Sequence, residues 1–134
     1  MKFTGPVLLV DDEPHIRKYV SLILKQMGIT QIFEAGNGED AVVAYQRDQP
    51  RLVLMDVNMP RIDGLQALRQ LKEIDPECYV VMLTSLTNRE TVQQALDLGA
   101  ENYIRKDTPT EEIAKALTET FEACFGEETA PPTP

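Results

Sequence analysis

The chain has 134 residues, of which 43% are apolar, and this fits one globular domain that can bury a core of its own. Its 22 acidic residues outnumber the 13 lysines and arginines, and the net charge of -9 argues against direct nucleic-acid binding, which needs a basic surface. The sequence shows no apolar signal segment and no stretch near the ~20 residues that span a bilayer, so we expect a cytoplasmic protein without membrane insertion. Cys78 and Cys124 lie far apart and suggest neither a metal site nor a disulfide.

Five short apolar runs alternate along the chain with five amphipathic segments. The spacing predicts strands over 6–10, 31–35, 51–55, 78–83 and 102–105, and helices over 14–27, 39–48, 65–74, 89–98 and 109–125. Helical periodicity places Tyr19, Leu96 and Cys124 on buried faces and Arg17 on the solvent side of the first helix. We assign residues 1–126 to one domain and 127–134, rich in Thr and Pro, to a disordered tail or the start of a linker.

Strict alternation of strands and helices predicts an α/β fold with a parallel sheet and helices on both of its faces. A closed eight-stranded barrel needs about 250 residues, so we expect an open, doubly wound sheet. The third run, Leu52 to Met55, reads as a fully buried strand that ends abruptly in Asp56. In such sheets ligands bind beyond the carboxyl ends of the strands, so an acid there is a candidate for chemistry.

Polar residues follow four of the five predicted strands. They are Asp11, Asp12 and Glu13 after the first, Asp56 after the third, Thr84 and Ser85 after the fourth, and Lys106 after the fifth. Carboxylates that meet at one edge repel one another unless a cation neutralises them, and oxygen ligands favour Mg²⁺, which Mn²⁺ could replace. A lysine and a hydroxyl beside them suit a phosphoryl group. The pattern therefore predicts nucleophilic attack by Asp56 on phosphorus.

Four motifs in order resemble the response-regulator receiver domains of two-component signalling, and the chain is similar to the stand-alone chemotaxis type from about Val7 to Phe125. The motifs are Leu8-Leu9-Val10-Asp11-Asp12-Glu13, Leu54-Met55-Asp56-Val57-Asn58-Met59-Pro60 with Asp63-Gly64, Leu83-Thr84, and Tyr103-Ile104-Arg105-Lys106. The resemblance implies a flavodoxin-like sheet of five strands in the order 2-1-3-4-5. It also implies a protein that catalyses only its own phosphorylation and dephosphorylation.

The resemblance assigns roles to individual residues. Asp56 would accept the phosphoryl group from a histidine kinase or phosphotransfer protein, and Thr84 and Lys106 would bind its oxygens. Mg²⁺ would be held by Asp11, Asp12, Asp56 and the backbone carbonyl of Asn58. Inward movement of Thr84 would make room for the ring of Tyr103, so the switch would change a partner-binding face built from the fourth helix, the fifth strand and the fifth helix.

Two positions depart from the family pattern. Asp107 stands where a proline in a cis peptide usually follows the lysine, so we expect a trans or strained loop and an altered reach of Lys106. Ser85 stands where alanine or glycine is usual and would modulate access to the phosphoryl group.

Two other functions compete with this interpretation. One is a receiver-like interaction module that is not phosphorylated in use. The other is a small haloacid-dehalogenase-like phosphatase with an aspartate nucleophile, which would need an acid at the position of Asn58. The complete set of acids, hydroxyl and lysine favours the phosphorylated switch, which we expect to be free-standing.

Overall fold

The computed structural model describes residues 5–59, 62–85 and 88–129, with side chains described as far as Gly126. Its centre is a sheet of five strands, all of whose pairings are parallel. The strands are β1 (Val7–Val10), β2 (Ile32–Ala35), β3 (Leu52–Met55), β4 (Val80–Thr84) and β5 (Asn102–Arg105). Their order in the sheet is β2-β1-β3-β4-β5, which confirms the predicted topology.

Five helices connect and follow these strands. They are α1 (Pro14–Gln26), α2 (Gly38–Asp48), α3 (Gly64–Ile74), α4 (Arg89–Asp97) and α5 (Thr110–Thr129). The last helix runs past its predicted end, although the backbone at Phe125 is not helical (φ -129°, ψ 22°). Pro60 of the second motif and residues 130–134 of the predicted tail lie outside the described residues.

Local capping explains where three of these helices begin. Pro14 occupies the first turn of α1, where a missing N–H is harmless. The predicted cap Asn88 accepts a hydrogen bond from the Thr91 N–H at the start of α4. At α3, Asp63 accepts a hydrogen bond from the Gln66 N–H and the Gln66 side chain accepts one from the Asp63 N–H, which is a capping box.

The sheet separates two apolar cores because side chains alternate between the faces of a strand. Helices α2, α3 and α4 cover the face to which Val10 and Met55 contribute. Helices α1 and α5 cover the other face, to which Leu9 and Leu54 contribute. Both faces of the central strands are therefore buried, as the continuous apolar runs predicted.

Two residues predicted on buried helix faces are partly exposed. Leu96 is 44% exposed because α4 buries only its neighbour Ala95, about 100° away around the helix. Tyr19 is 38% exposed, and its hydroxyl lies 2.6 Å from the Thr110 hydroxyl on α5. Cys124 is half-buried. The fourth strand starts later than predicted because the Cys78 N–H bonds to the Asp75 carbonyl in the turn after α3.

Aromatic side chains close the core at the amino-terminal edge of the sheet. The Phe125 ring packs edge-on against Tyr79, with 4.6 Å between the ring centroids. The Arg51 guanidinium lies 4.7 Å from the centroid of the same ring, and Phe121, one turn earlier in α5, is completely buried. The carboxyl-terminal part of α5 is therefore part of the folded unit. Among the described residues, no helix is both long and apolar enough to cross a membrane.

Candidate functional site at the carboxyl ends of the strands

Three carboxylates meet at the carboxyl-terminal edge of the sheet. Asp11 follows β1 and Asp56 follows β3, and both are buried, whereas Asp12 is exposed. One oxygen from each of the three lies within 4.8 Å of the others. The parallel hydrogen-bond ladder extends one residue past the strands, because the Asp11 N–H bonds to the Ala35 carbonyl and the Asp56 N–H to the Val10 carbonyl. The sheet therefore fixes the backbone of both buried acids.

Lys106 supplies the positive charge at this edge. From the end of β5 its side chain reaches past β4, and Nζ lies 2.6 Å from Asp11 Oδ2 and 2.9 Å from Asp56 Oδ2. Its own N–H bonds to the Thr84 carbonyl at 3.0 Å. The described residues contain no cis peptide bond, so the Lys106-Asp107 peptide is trans. The missing proline therefore does not keep the lysine from the acids.

Burial and charge act on these groups in opposite directions. Burial raises the pKa of Asp11, and this outweighs the hydrogen bonds from Lys106 and from the Glu13 N–H, which favour its ionised form. Burial lowers the pKa of Lys106, but its hydrogen bonds and charge interactions with Asp11 and Asp56 together raise it above its usual value. With more carboxylates than cations, the edge retains an excess of negative charge. Such a site favours binding of a further cation.

Two other predicted residues line the same edge. Thr84 is the last residue of β4 and is completely buried. Tyr103 and Ile104 lie on opposite faces of β5, as predicted, and the Tyr103 ring packs against the core beneath α2, α3 and α4. Burial, and then the charge of Asp56, raise the pKa of the Tyr103 hydroxyl.

The remaining predicted residues lie at the rim. Asn58 is exposed, and its N–H lies 3.4 Å from Asp56 Oδ1, which is a long contact. Ser85 is exposed after β4. Asp107 is exposed and forms a two-pronged ion pair with Arg105, at 2.9 and 2.8 Å. This pair spans Lys106 on the solvent side of the turn.

The loop that carries Asp56 lies unusually close to α3. The Gly64 N–H bonds to the Val57 carbonyl at 2.8 Å. A Cβ added at Gly64 would lie 2.0 Å from the Asp56 carbonyl oxygen and 2.8 Å from the Val57 Cα. Only a residue without a side chain fits this contact, which explains why glycine follows Asp63 in the second motif.

Arg17 was missed by the sequence analysis, which placed it in solvent. Its side chain is only 20% exposed, and Nη1 donates a 2.6 Å hydrogen bond to the Asp11 backbone carbonyl. Nε donates a 2.8 Å bond to Glu34 on β2. A long side chain in the first turns of a helix leans back toward the amino terminus, and this direction is the signal that could have found the contact.

The donor set of this edge fits a hard divalent cation. Carboxylate oxygens are what Mg²⁺ binds in proteins, and Asp11, Asp12 and Asp56 bring three of them together. The backbone carbonyl of Asn58 follows in the same loop. The acidic cluster is thus compatible with Mg²⁺.

Comparison with known proteins points to one family. The model of the response regulator receiver domain matches residues 7–118. The chain is 33% identical over 115 residues to the chemotaxis protein CheY of Bacillus subtilis, covering 86% of this chain and 96% of CheY. It is 38% identical over 117 residues to the response regulator VraR of Staphylococcus epidermidis, covering 87% of this chain but 56% of VraR.

Solved structures agree with this result. A complex of CheX and CheY with BeF3 and Mg from Borrelia burgdorferi is similar with a TM-score of 0.83 and 29% identity, over 87% of this chain and 88% of that chain. The chemotaxis protein CheY4 of Vibrio cholerae is similar with a TM-score of 0.80 and 28% identity, over 88% of this chain and 99% of that chain. The chain belongs to the response regulator receiver domains of two-component signalling, whose switching depends on phosphorylation.

Proposed function

We propose that this chain accepts a phosphoryl group on Asp56 from a histidine kinase or phosphotransfer protein, in a Mg²⁺-dependent reaction that changes its partner-binding face. One observation carries the proposal. The Lys106 ammonium lies 2.9 Å from the Asp56 carboxylate, at an edge where the carboxylates of Asp11 and Asp12 also converge.

The transfer needs a carboxylate nucleophile and charge neutralisation. An oxygen of ionised Asp56 forms the new bond to phosphorus, and the bond from phosphorus to the donor's histidine nitrogen breaks. The nitrogen keeps the electron pair of that bond, and because the other ring nitrogen of the phosphohistidine carries a proton, the imidazole leaves as a neutral base. Lys106 already lies against Asp56 and would bind an oxygen of the transferred group, and Thr84 would donate a hydrogen bond to another.

A divalent cation would offset the remaining negative charge. Asp11, Asp12, Asp56 and the backbone carbonyl of Asn58 would hold it, and Mn²⁺ could replace Mg²⁺. Bound there, the cation supplies charge neutralisation for the transferring oxygens. The excess of carboxylates over lysine at this edge supports the assignment.

The output follows from the neighbours of Asp56. A phosphoryl group adds charge and acceptor oxygens beside Thr84, whose movement would change the space open to the Tyr103 ring. Tyr103 belongs to β5, so the change would reach the face formed by α4, β5 and α5, where a downstream protein would bind. Ser85 and Asp107, both exposed beside the site, would modulate the lifetime of the phosphoryl group.

Intact-mass measurement after incubation with acetyl phosphate tests the proposal. We expect a gain of one phosphoryl group in the parent with Mg²⁺, and none without Mg²⁺ or in Asp56→Asn. Asp97→Asn, an exposed acid on α4, is the matched control and should gain the group like the parent.

Other outcomes would favour the competing functions. A folded parent that gains no phosphoryl group at saturating Mg²⁺ would contradict the proposal and favour an interaction module that is not phosphorylated. Sustained turnover of an aryl phosphate that depends on Asp56 would favour a phosphatase.

A further inference from the structure

Arg17 connects three elements at the edge that carries the acids. It belongs to α1, its Nη1 bonds to the backbone carbonyl of Asp11 after β1, and its Nε bonds to Glu34 on β2. At 20% exposure, the side chain is held between these partners rather than free in solvent. We propose that Arg17 is a positioning residue that orients Asp11 and Asp12 for a divalent cation. The inference rests on the proposed function, which requires that cation.

The position of the bond explains how one arginine could orient two acids. The Asp11 carbonyl belongs to the peptide unit that joins Asp11 to Asp12, and that unit is planar. The Asp12 Cα lies in the plane of that unit, so a 2.6 Å bond to the unit's oxygen restrains the Asp12 Cα as well. Asp12 is exposed and lies beyond the end of β1, so the sheet ladder does not reach its N–H.

The other hydrogen bonds of Asp11 involve its N–H and its side chain, not its carbonyl oxygen. The Asp11 N–H is held by the Ala35 carbonyl. Its side-chain oxygens accept hydrogen bonds from the Glu13 N–H at 2.9 Å and from Lys106 at 2.6 Å. Among the described contacts, Arg17 is the group that holds the carbonyl, so its loss would release the junction between the two acids.

Glu34 restrains the orientation of the Arg17 guanidinium. Its carboxylate binds Nε while Nη1 points to Asp11, so the planar guanidinium is fixed in two directions. A lysine at the same position would keep the charge but could not present this planar pair of donors. The charge of Arg17 and its geometry can therefore be separated by substitution.

The test measures Mg²⁺ binding by titration calorimetry in the absence of any phosphodonor. We expect Arg17→Lys to raise the Mg²⁺ dissociation constant about ten- to a hundred-fold, the usual effect of losing a partner that orients a metal ligand. Arg17→Met should raise it at least as much. Arg89→Lys and Lys18→Met, exposed positions on α4 and α1, are the matched controls and should change it less than about threefold.

If Arg17 acted only through its charge, its removal would change the Mg²⁺ dissociation constant in the opposite direction. Removing a positive charge beside three carboxylates strengthens their attraction for a cation, so a purely electrostatic role would make Arg17→Met bind Mg²⁺ more tightly. It would also leave Arg17→Lys unchanged. Either result would overturn the inference. If Arg17→Met does not fold, as judged by circular dichroism without metal, Arg17→Lys decides.

A rate measurement separates positioning from general damage. In Arg17→Lys we expect the Mg²⁺ concentration for half-maximal phosphorylation by acetyl phosphate to rise in parallel with the dissociation constant. The rate at saturating Mg²⁺ should stay within about threefold of the parent, because Asp56 and Lys106 keep their contacts. A fall of that rate without a change in Mg²⁺ binding would refute positioning. A parent that binds no Mg²⁺ would instead refute the proposed function.

Discussion

Gly64→Ala should displace Asp56 from its position. The new Cβ would lie 2.0 Å from the Asp56 carbonyl oxygen, against 3.4 Å for an ordinary contact, so the two must separate by about 1.4 Å. Both sides of the contact are backbone, and Gly64 is tied to the Val57 carbonyl at 2.8 Å, so no side chain can rotate away to relieve it. Overpacking of this kind costs about 1–3 kcal/mol of folding free energy.

The same shift should impair phosphorylation more than stability. Misplacing a reacting group by about 1 Å can cost on the order of a hundredfold in rate, so we expect a tenfold to hundredfold slower reaction with acetyl phosphate at saturating Mg²⁺. Urea unfolding measures the first effect and intact mass against time the second.

Gly126→Ala is the matched control for Gly64→Ala. A Cβ at Gly126 would meet nothing within 4 Å, so neither the rate nor the stability should fall. If Gly64→Ala unfolds at the parent's urea concentration and reacts within twofold of the parent, the close approach does not constrain Asp56 and the reasoning is wrong.

Three further substitutions or conditions test individual contacts. Asp63→Ala removes the capping box with Gln66 and should cost about 1 kcal/mol in urea unfolding, and an unchanged midpoint would contradict the role of the cap. Tyr45→Phe removes the 2.8 Å bond to Asp75 and should also cost about 1 kcal/mol, whereas equal stability would show that water replaces the bond. The pKa of Lys106 is raised in the folded state by its contacts with Asp11 and Asp56. These contacts therefore stabilise the fold fully below about pH 10.5, and this contribution is lost as the pH rises through the folded-state pKa of Lys106. Lys106→Met should lack that part of the alkaline decline, and a decline identical to the parent's would refute it.

The fold could be predicted from the sequence because the signals of its strands and helices are local and repeated. Each apolar run bounded by turn residues marked a buried strand, and the polar residue after it marked the edge of the sheet. Parallel pairing then brought Asp11 and Asp56 together without any knowledge of side-chain geometry. The meeting of Lys106 with both acids was predictable in outline for the same reason.

The features that could not be predicted from the sequence depend on contacts that leave no periodic signal. Arg17 has a charged side chain at a position typical of solvent, but its partner is a backbone carbonyl, which every residue possesses. Leu96 lies on the edge of an amphipathic stripe, and a stripe does not tell how wide the covering surface is. The proximity of Gly64 to Asp56 likewise depends on how closely two backbones pack.

The aromatic side chains at the amino-terminal edge of the sheet limit how far the chain can be shortened. The match to the family model ends at residue 118, yet Phe121 is completely buried and Phe125 is 7% exposed. Removing one buried phenylalanine ring costs about 3–5 kcal/mol, and the whole stability of a domain is about 5–15 kcal/mol. A fragment trimmed to the family match would lose both rings, and with Phe125 the ring that packs against Tyr79. Expression fragments of this domain should therefore keep the chain at least through Gly126.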